Sequence, residues 1–224
     1  MQAKLQTFGK PPLPKGYSPY HILTYDKCGN KFLLIYIYKV HVKPTYQPIL
    51  KGSDLHTDIS LGDFESEDSE TQKMLDIARE FLLEMPANPT FETSMDDKNN
   101  PGTYRGTIFS LPFLAVFDVH WINERIGADW KRSKHNKKYD DSYEIQAYIL
   151  NELFRQKYGF PLEKFYFVFL KDGKRYEAQS IYPGEVRDRI EMKIKNILDS
   201  IRRLEFRKNV SWSCQWCECR GLCI

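Results

Sequence analysis

The sequence predicts an α/β domain with a mixed central sheet flanked by helices. Two observations lead to this prediction: strand-like and helix-like patterns alternate along the 224 residues, and an Asp-Gly pair at Asp172 separates two strand-like runs. An Asp-Gly pair between apolar runs is among the strongest short-range signals for a β-hairpin. The chain is long enough to bury one sizeable core, so we expect a single domain over residues 1–224.

The first half of the chain carries two helical patterns. The stretch "SPYHILTYDKC", residues 18–28, offers Ser18 as an N-cap followed by proline at the first helical position. The apolar run "KFLLIYIYKVHV", residues 31–42, fits either a strand or a continuation of that helix. Residues 57–70 are acidic and are expected to be exposed. Apolar residues recur with helical spacing over 69–85, which predicts an amphipathic helix.

The second half predicts strands, a helix, a hairpin and a long helix, in that order. Turn-forming residues, alternating apolar residues and apolar stripes at helical spacing are the signals. The predicted elements are a turn-rich loop at 95–106, strand material at 103–122, a hairpin turn at 123–125, a helix at 140–159 ending at Gly159, a hairpin at 164–182 and a helix at 183–206.

Charge and hydropathy exclude few classes of protein. The formal net charge of +3 permits a nucleic-acid partner without requiring one. No run of about 18 apolar residues occurs, so no membrane span is expected. The N-terminus lacks the apolar core of a signal peptide, which predicts an intracellular, cytoplasmic protein, or one of the host cytoplasm if the chain is viral.

Two carboxylates and a lysine lie close together in the predicted hairpin. Side chains alternate along a strand, so Asp129 and Lys131 project from one face while Trp130 packs into the other. Hairpin pairing would bring Asp118 near Asp129. Two such carboxylates repel each other unless a cation lies between them, which favours a Mg²⁺ or Mn²⁺ site, and a nearby lysine suits phosphodiester hydrolysis. The alternative is a solvated face with weak ion pairs.

The cysteines are unevenly distributed. Cys28 stands alone, while the other four lie within residues 214–223: Cys214, Cys217, Cys219 and Cys223. In a reducing compartment such a cluster indicates a metal more than disulfides. Four thiolates hold either Zn²⁺ or an iron–sulfur cluster, and their spacing does not choose between them. Reduced thiols in a frayed tail are the alternative.

Five short motifs occur along the chain in one order. They are "SPYHILTYDKCGNKFLL" at 18–34, "GSDLH" at 52–56, "AVFD" at 115–118, "DWK" at 129–131 and "CQWCECRGLC" at 214–223. Each is weak alone. The ordered set resembles the PD-(D/E)XK nuclease superfamily, specifically its RecB-like branch with an iron–sulfur cluster, which includes the CRISPR-associated RecB-like exonucleases and AddB-type nuclease domains. Ala115 stands where the family's Gly-x-x-Asp motif has glycine.

This resemblance implies roles for the residues of the hairpin. His56, Asp118 and Asp129 would hold one or two Mg²⁺ or Mn²⁺ ions, and the backbone carbonyl of Trp130 would complete the shell. Lys131 would position the attacking water. The implied fold is a restriction-endonuclease-like core, whose N- and C-terminal segments are joined by a four-cysteine cluster.

Further residues are implied on the nucleic-acid side. Gln146 matches the first residue of the family's Gln-x-x-x-Tyr motif, but Leu150 stands at the tyrosine position. The nearest tyrosine, Tyr148, is a candidate for stacking on an unpaired base, although such aromatic residues are more often part of a core. Arg132 and Lys134 belong to a basic run after the second strand of the hairpin, and we expect them to attract phosphates.

The resemblance also chooses among the cysteine ligands. It implies that Cys28, Cys214, Cys217 and Cys223 bind a [4Fe–4S] cluster, with Cys219 as the spare. Residues 18–34 and 205–224 would then form one cluster-binding region, and loss of the cluster would destabilise the domain.

The function implied is that of a Mg²⁺- or Mn²⁺-dependent deoxyribonuclease. We expect an exonuclease that hydrolyses single-stranded DNA or DNA ends through a metal-activated water. DNA is the expected partner, with protein partners in DNA processing or CRISPR adaptation and no membrane. The alternatives are a non-catalytic DNA-binding or recombination subunit that uses the same fold and cluster as a scaffold, or a zinc-stabilised interaction protein.

Overall fold

Three segments of the chain define the fold. The structure is a computed structural model that describes residues 12–40, 48–91 and 103–223; for residues 48–54, 212 and 213 it describes the backbone alone. The turn-rich loop predicted at 95–106 therefore lies mostly outside the described residues.

Local sequence signals explain where the helices begin and end. The helices are α1 (Pro19–Lys27), α2 (Gly29–Phe32, continuing as a π-helical turn over Leu33–Ile37), α3 (Pro48–Leu61), α4 (Ser69–Glu84), α5 (Asp140–Tyr158) and α6 (Glu185–Arg202). The Asp68 side chain caps α4 by accepting a hydrogen bond from the Thr71 amide at 2.8 Å. Gly159 ends α5 with a left-handed φ of 84°, a conformation that glycine adopts without strain.

Two sheets are described, and the larger one is mixed. Its five strands run in the order β1 (Thr90–Phe91), β4 (Val119–Trp121), β5 (Ile126–Lys131), β6 (Lys164–Phe169) and β7 (Lys174–Glu177). Neighbouring strands are antiparallel except β5 and β6, which are parallel because α5 crosses between them. Strands β2 (Thr103–Ile108) and β3 (Leu111–Val116) form a separate antiparallel hairpin.

The two faces of the large sheet bury different cores. On β6, Phe165, Phe167 and Phe169 point into a core shared with α1, α5, α6 and the β2–β3 hairpin. On the opposite face, Trp130 and Val168 pack with residues of α3 and α4. The sheet thus lies between helices on both faces, as the sequence predicted. No helix in the described ranges is long and apolar enough to cross a membrane.

Three regions show where local patterns were insufficient. The run at 31–42 is helical as far as Ile37 rather than a strand. The acidic stretch at 57–70 begins inside α3, where Ile59 is fully buried although Thr57 and Leu61 are exposed; most of the stretch after the helix is exposed, as predicted. The strand material at 103–122 divides between two sheets, because Phe109 and Ser110 adopt positive φ values of 51° and 61° and turn β2 back onto β3.

Candidate active site

The β4–β5 hairpin determines the position of the two carboxylates. Val119 pairs with Ala128 and His120 with Gly127, so the same antiparallel register puts Asp118 opposite Asp129. Asp118 Oδ2 accepts a hydrogen bond from the backbone N–H of Trp130 at 2.7 Å. The hairpin predicted from the sequence is therefore present, and it brings both aspartates to one end of the strands.

Lys131 and Gln146 enclose Asp129 in a closed network. The Lys131 ammonium forms an ion pair with Asp129 Oδ1 and lies 3.1 Å from Oδ2. Gln146, from α5, donates from Nε2 to Asp129 Oδ2 at 2.9 Å and accepts from Lys131 Nζ at 3.1 Å. Each of the three side chains contacts the other two, so α5 and β5 fix their relative orientation.

His56 reaches the same site from α3. Its Nδ1 lies 3.5 Å from Asp118 Oδ1. The His56 side chain is 32% exposed, whereas Asp118 is 11% exposed. The site therefore has a buried carboxylate floor and an imidazole at its more accessible side.

The two carboxylates have different pKa values because their surroundings differ. Burial, opposed by Lys131 and reinforced by the charge of Asp118, raises the pKa of Asp129 to about 6. Burial also acts on Asp118, but the charge and hydrogen bond of His56, together with Lys131, hold the pKa of Asp118 below its ordinary value. One carboxylate thus retains its proton more readily than the other, as expected of two acids that share a site.

The two carboxylates raise the pKa values of the basic residues beside them, His56 and Lys131. Burial alone would lower the pKa of His56, but the charge of Asp118 and its hydrogen bond raise that pKa to about 9. Lys131 is likewise desolvated, yet the adjacent Asp129 raises its pKa above the ordinary value. Protons on His56 and Lys131 therefore balance the charge of the carboxylates.

The site offers ligand atoms of the types that bind a divalent cation. Among the described residues, no group of three or more His, Cys, Asp or Glu side chains is arranged to hold a metal ion. The donor types do suit Mg²⁺ or Mn²⁺, since two carboxylates and an imidazole converge. Asp129 Oδ1 is buried, and its ion pair with the Lys131 ammonium occupies the place that a cation would take.

Trp130 contributes its backbone to the site and its side chain to the core. The indole ring packs edge-on against Phe81 at 5.5 Å between ring centres, on the face opposite Asp129 and Lys131. This is the alternation predicted for the strand. The Trp130 N–H is already engaged by Asp118.

The predicted nucleic-acid residues separate into two groups. Arg132 and Lys134 follow β5 directly, and Lys134 is exposed. Tyr148 is 3% exposed and faces α6, where Arg187 lies 5.0 Å from its ring. Burial and, next, the charge of Glu191 raise the Tyr148 pKa. Tyr148 is therefore not brought to the carboxylates, because it lies on a different side of α5 from Gln146.

A groove beside the carboxylates was missed by the sequence analysis. It has a volume of about 280 Å³, lies between α1 and the start of α5, and is lined by Lys131 and Gln146. Four residues of α1 also line it: Pro19, Tyr20, Leu23 and Lys27. The spacing of three and four residues between the last three, which puts side chains on one helix face, is the signal that could have identified it.

His120 is buried in an aromatic cluster rather than at the site. Its Nε2 lies 2.9 Å from the Tyr104 hydroxyl, and Phe117 packs beside it at 5.4 Å between ring centres. Nδ1 has no hydrogen-bond partner among the described residues. Burial, with a smaller contribution from Lys157, lowers the pKa of His120 to about 4, so the ring is neutral at physiological pH.

The C-terminal segment packs against α2, as the predicted cluster requires. Gly29 lies so close to this segment that a Cβ would be 2.9 Å from the Arg207 backbone nitrogen. The Asn30 amide donates to the Arg207 carbonyl at 3.2 Å, and Lys31 pairs with Glu218 at 2.9 Å. The two ends of the described chain are therefore joined next to Cys28.

Among the described residues, no three cysteine thiols are arranged to hold one metal ion. All five cysteines are free, and the Asn30 side chain contacts Cys223 Sγ at 3.2 Å. Cys214 Sγ instead donates to the Asn209 carbonyl at 3.7 Å. Cys219, the predicted spare, is the buried one; burial and then the neighbouring Cys217 raise its pKa to about 11. Within the described residues the predicted four-cysteine set is not assembled.

Comparison with known proteins supports the fold and is silent on activity. No protein-family model matches the chain, and no curated protein matches it. Among solved structures, the chain is similar to the protein described as "Crystal structure of SSO0001", with a TM-score of 0.56 over 99% of this chain and 90% of that one. The sequences are 15% identical, so this similarity extends to the fold alone.

Proposed function

We propose that the protein is a metal-dependent DNA nuclease built on a restriction-endonuclease-like core. The observation that supports this proposal is the contact network of His56, Asp118, Asp129, Lys131 and Gln146, which come from α3, β5, α5 and the residue before β4 and meet at one end of β5. Solvated surface charges rarely have this degree of burial, and perturbed pKa values cluster at functional sites.

The residues would divide the chemistry among them. Asp118, Asp129 and His56 would hold Mg²⁺ or Mn²⁺, with the Trp130 carbonyl as a further ligand. When bound, the ion supplies a Lewis acid that activates water and stabilises charge on the leaving oxygen. Lys131 orients the attacking water and donates to the scissile phosphate. Gln146 holds the Lys131 ammonium and Asp129 in register, which makes it a positioning residue.

The ammonium of Lys131 and the proton of His56 neutralise the carboxylates when no cation is bound. Because Lys131 is paired with Asp129 Oδ1, holding a metal ion at that oxygen would require the ammonium to leave it, which would place Lys131 where it could contact the substrate. His56 would have to be neutral, since only the neutral imidazole is a ligand.

The decisive assay is digestion of end-labelled single- and double-stranded DNA, with free and blocked ends, in Mg²⁺ or Mn²⁺. Asp129→Asn should reduce the rate at least about 100-fold, because a group that stabilises transition-state charge contributes this much or more. The matched control is Asp199→Asn on the outer surface of α6, where Asp199 pairs with Arg202 at 3.2 Å. Wild-type rates in Asp129→Asn would refute the site assignment.

The binding and cleavage data together separate this function from a scaffold role. A non-catalytic DNA-binding subunit would bind the same oligonucleotides in the presence of Mg²⁺ or Mn²⁺ and leave all of them intact. An exonuclease would release mononucleotides from free ends and spare DNA whose ends are blocked.

We propose further that Cys28 and the C-terminal cysteines bind a [4Fe–4S] cluster. Packing of residues 205–218 against α2 supports this proposal, because it leaves Cys28 one residue from the contact surface. Four thiolates are the ligands that such clusters require. Protein purified without oxygen should be brown, with four iron atoms and four sulfides per chain as the cluster formula requires. Colourless protein with stoichiometric zinc would support a zinc-stabilised protein instead.

A further inference from the structure

The groove beside the carboxylates combines three properties that point to a ligand. It lies next to Asp129, since Lys131 and Gln146 line the groove and both contact this carboxylate. Its lining is aromatic and basic, and none of the lining residues is a carboxylate.

Tyr20 is an exposed aromatic ring at this groove. It is 72% exposed, although large aromatic rings normally bury most of their surface. Its hydroxyl is close enough to Asp129 and Lys131 for their charges to act on it. Tyr143, on the opposite wall, packs against Phe167 at 5.0 Å between ring centres and is held in place by the core. Tyr20 is thus an accessible flat surface facing a rigid wall.

The groove also concentrates positive charge. Lys27 shares the lining with Lys131, and the two charges repel each other. Desolvation and then the charge of Lys31 lower the Lys27 pKa, so the ammonium lies where an anion would stabilise it. A phosphate between Lys27 and Lys131 would relieve this repulsion.

We propose that this groove binds one unpaired nucleotide of the substrate next to the scissile phosphate, with its base stacked on Tyr20 and its phosphate at Lys27. Assignment of the neighbouring phosphate as scissile rests on the proposed nuclease function, whereas binding of an unpaired strand does not. The volume of about 280 Å³ lies at the lower limit of ligand pockets and suits one nucleotide rather than a duplex. The groove therefore selects single strands and frayed or overhanging ends.

Binding is tested without cleavage by fluorescence anisotropy of labelled oligothymidylate, and of a blunt duplex of equal length, in the absence of added divalent cations. Tyr20→Ala should weaken binding of the single strand about 10-fold, within the range for loss of one stacked base, while Tyr20→Trp should retain it. Lys27→Gln should weaken binding and reduce the slope of log affinity against log salt by about 0.7, the value for one phosphate contact on a single strand. The duplex should bind weakly to every variant.

Matched controls come from α4, on the other face of the sheet. Leu83 is 77% exposed, and Leu83→Ala controls for loss of an exposed apolar side chain. Lys73→Gln controls for loss of one exposed positive charge. Both should bind like wild type.

The outcomes distinguish this inference from the nuclease function. Equal single-strand affinity of wild type and Tyr20→Ala, or equally tight binding of the blunt duplex, overturns the groove even when wild type cleaves DNA. A wild-type protein that cleaves nothing, but whose single-strand binding depends on Tyr20 and Lys27, supports the groove and refutes the nuclease. A drop for the controls as large as for Tyr20→Ala also overturns the proposal.

Discussion

The carboxylate site (His56, Asp118, Asp129, Lys131 and Gln146) and the cysteine region (Cys28 with residues 205–223) contrast in their degree of order. In the carboxylate site every side chain contacts another member, and Asp129, Lys131 and Gln146 close a network. In the cysteine region the backbone segments meet and Cys217 lies beside Cys219, but no group of three thiols is arranged to hold a metal ion among the described residues.

The difference arises from the elements that carry the residues. Asp129 and Lys131 stand on β5, which pairs with β4 on one side and β6 on the other, so ladder hydrogen bonds fix their positions without any ligand. Cys214 and Cys217 lie in and beside a short 3₁₀ turn at Trp212–Trp216 with few long-range bonds. A bound group would supply the order there, since binding and folding are coupled in small cysteine sites.

The largest effect on the free energy of unfolding is expected when the cysteine region binds iron and sulfide, or zinc. Iron and sulfide, or zinc, should raise the free energy of unfolding by about 5 kcal/mol, a fraction of what structural zinc contributes in small domains. Cys217→Ser should abolish this gain and, in the unloaded protein, cost less than about 1 kcal/mol. Urea unfolding of loaded and unloaded protein measures both.

The cysteine variants also decide the ligand set. The resemblance implies that Cys219→Ser keeps the gain from loading and that Cys223→Ser loses it. The opposite result would exchange the roles of these two residues, in agreement with the burial of Cys219 beside Cys217.

The next largest effect is expected at Lys131. Lys131→Met leaves the 7% exposed Asp129 without its positively charged partner, which should lower the free energy of unfolding by about 3–5 kcal/mol. The double variant with Asp129→Asn should recover most of the loss, since no buried charge is then left. Lys171→Met is the control, because its pairing with Glu70 is exposed and contributes less than about 1 kcal/mol. Equal losses at Lys131 and Lys171 would mean that the carboxylate site is no more than surface charge.

A smaller effect is expected from pH. The pKa of His56 is raised from 6.5 to about 9, so its contribution to stability is complete below pH 6.5 and is lost as the pH rises through 9. Without metal, the free energy of unfolding should fall by roughly 1–3 kcal/mol over this range, since each unit of pKa difference corresponds to ~1.4 kcal/mol. Denaturant titrations at several pH values should show the decline.

Two variants test whether His56 causes this decline. His56→Gln should flatten the profile between pH 6.5 and 9. His135 lies away from Asp118 and Asp129 and pairs with Asp140 at a distance of 2.9 Å. His135→Gln should therefore leave the decline unchanged. A profile that stays steep in His56→Gln would assign the decline to other groups.

The smallest effect is expected at Tyr148. Tyr148→Phe removes a hydroxyl on the α6 side of α5, which should cost about 1 kcal/mol or less of stability. DNA binding and cleavage should be unchanged, in contrast to Tyr20→Ala. Fluorescence anisotropy with labelled single strands tests this. If Tyr148→Phe bound DNA more weakly at unchanged stability, Tyr148 would be shown to contribute to DNA binding.

The local fold was largely readable from the sequence. The helix at 69–85 and the stop at Gly159 appear within a residue of their predicted bounds, because caps and turns act over a few residues. The hairpin at Asp172-Gly173 is present, but its second strand ends at Glu177 rather than at 182. Helix α3 was not predicted, since "GSDLH" carries no strong periodic signal. Whether residues 31–37 were helix or strand also could not be decided locally, because apolar runs suit either.

Which chemical groups occur on β5, and how they alternate, could be read from the order of residues alone: Asp129 and Lys131 lie on one face and Trp130 on the other. Tertiary structure alone decided what meets them. His56 comes from a helix more than sixty residues away, Tyr20 forms a groove with α5, and Tyr148 turns to α6. Alternation along a strand follows from backbone geometry between neighbouring residues. These contacts join residues far apart in the sequence, so they depend on how helices pack across a sheet.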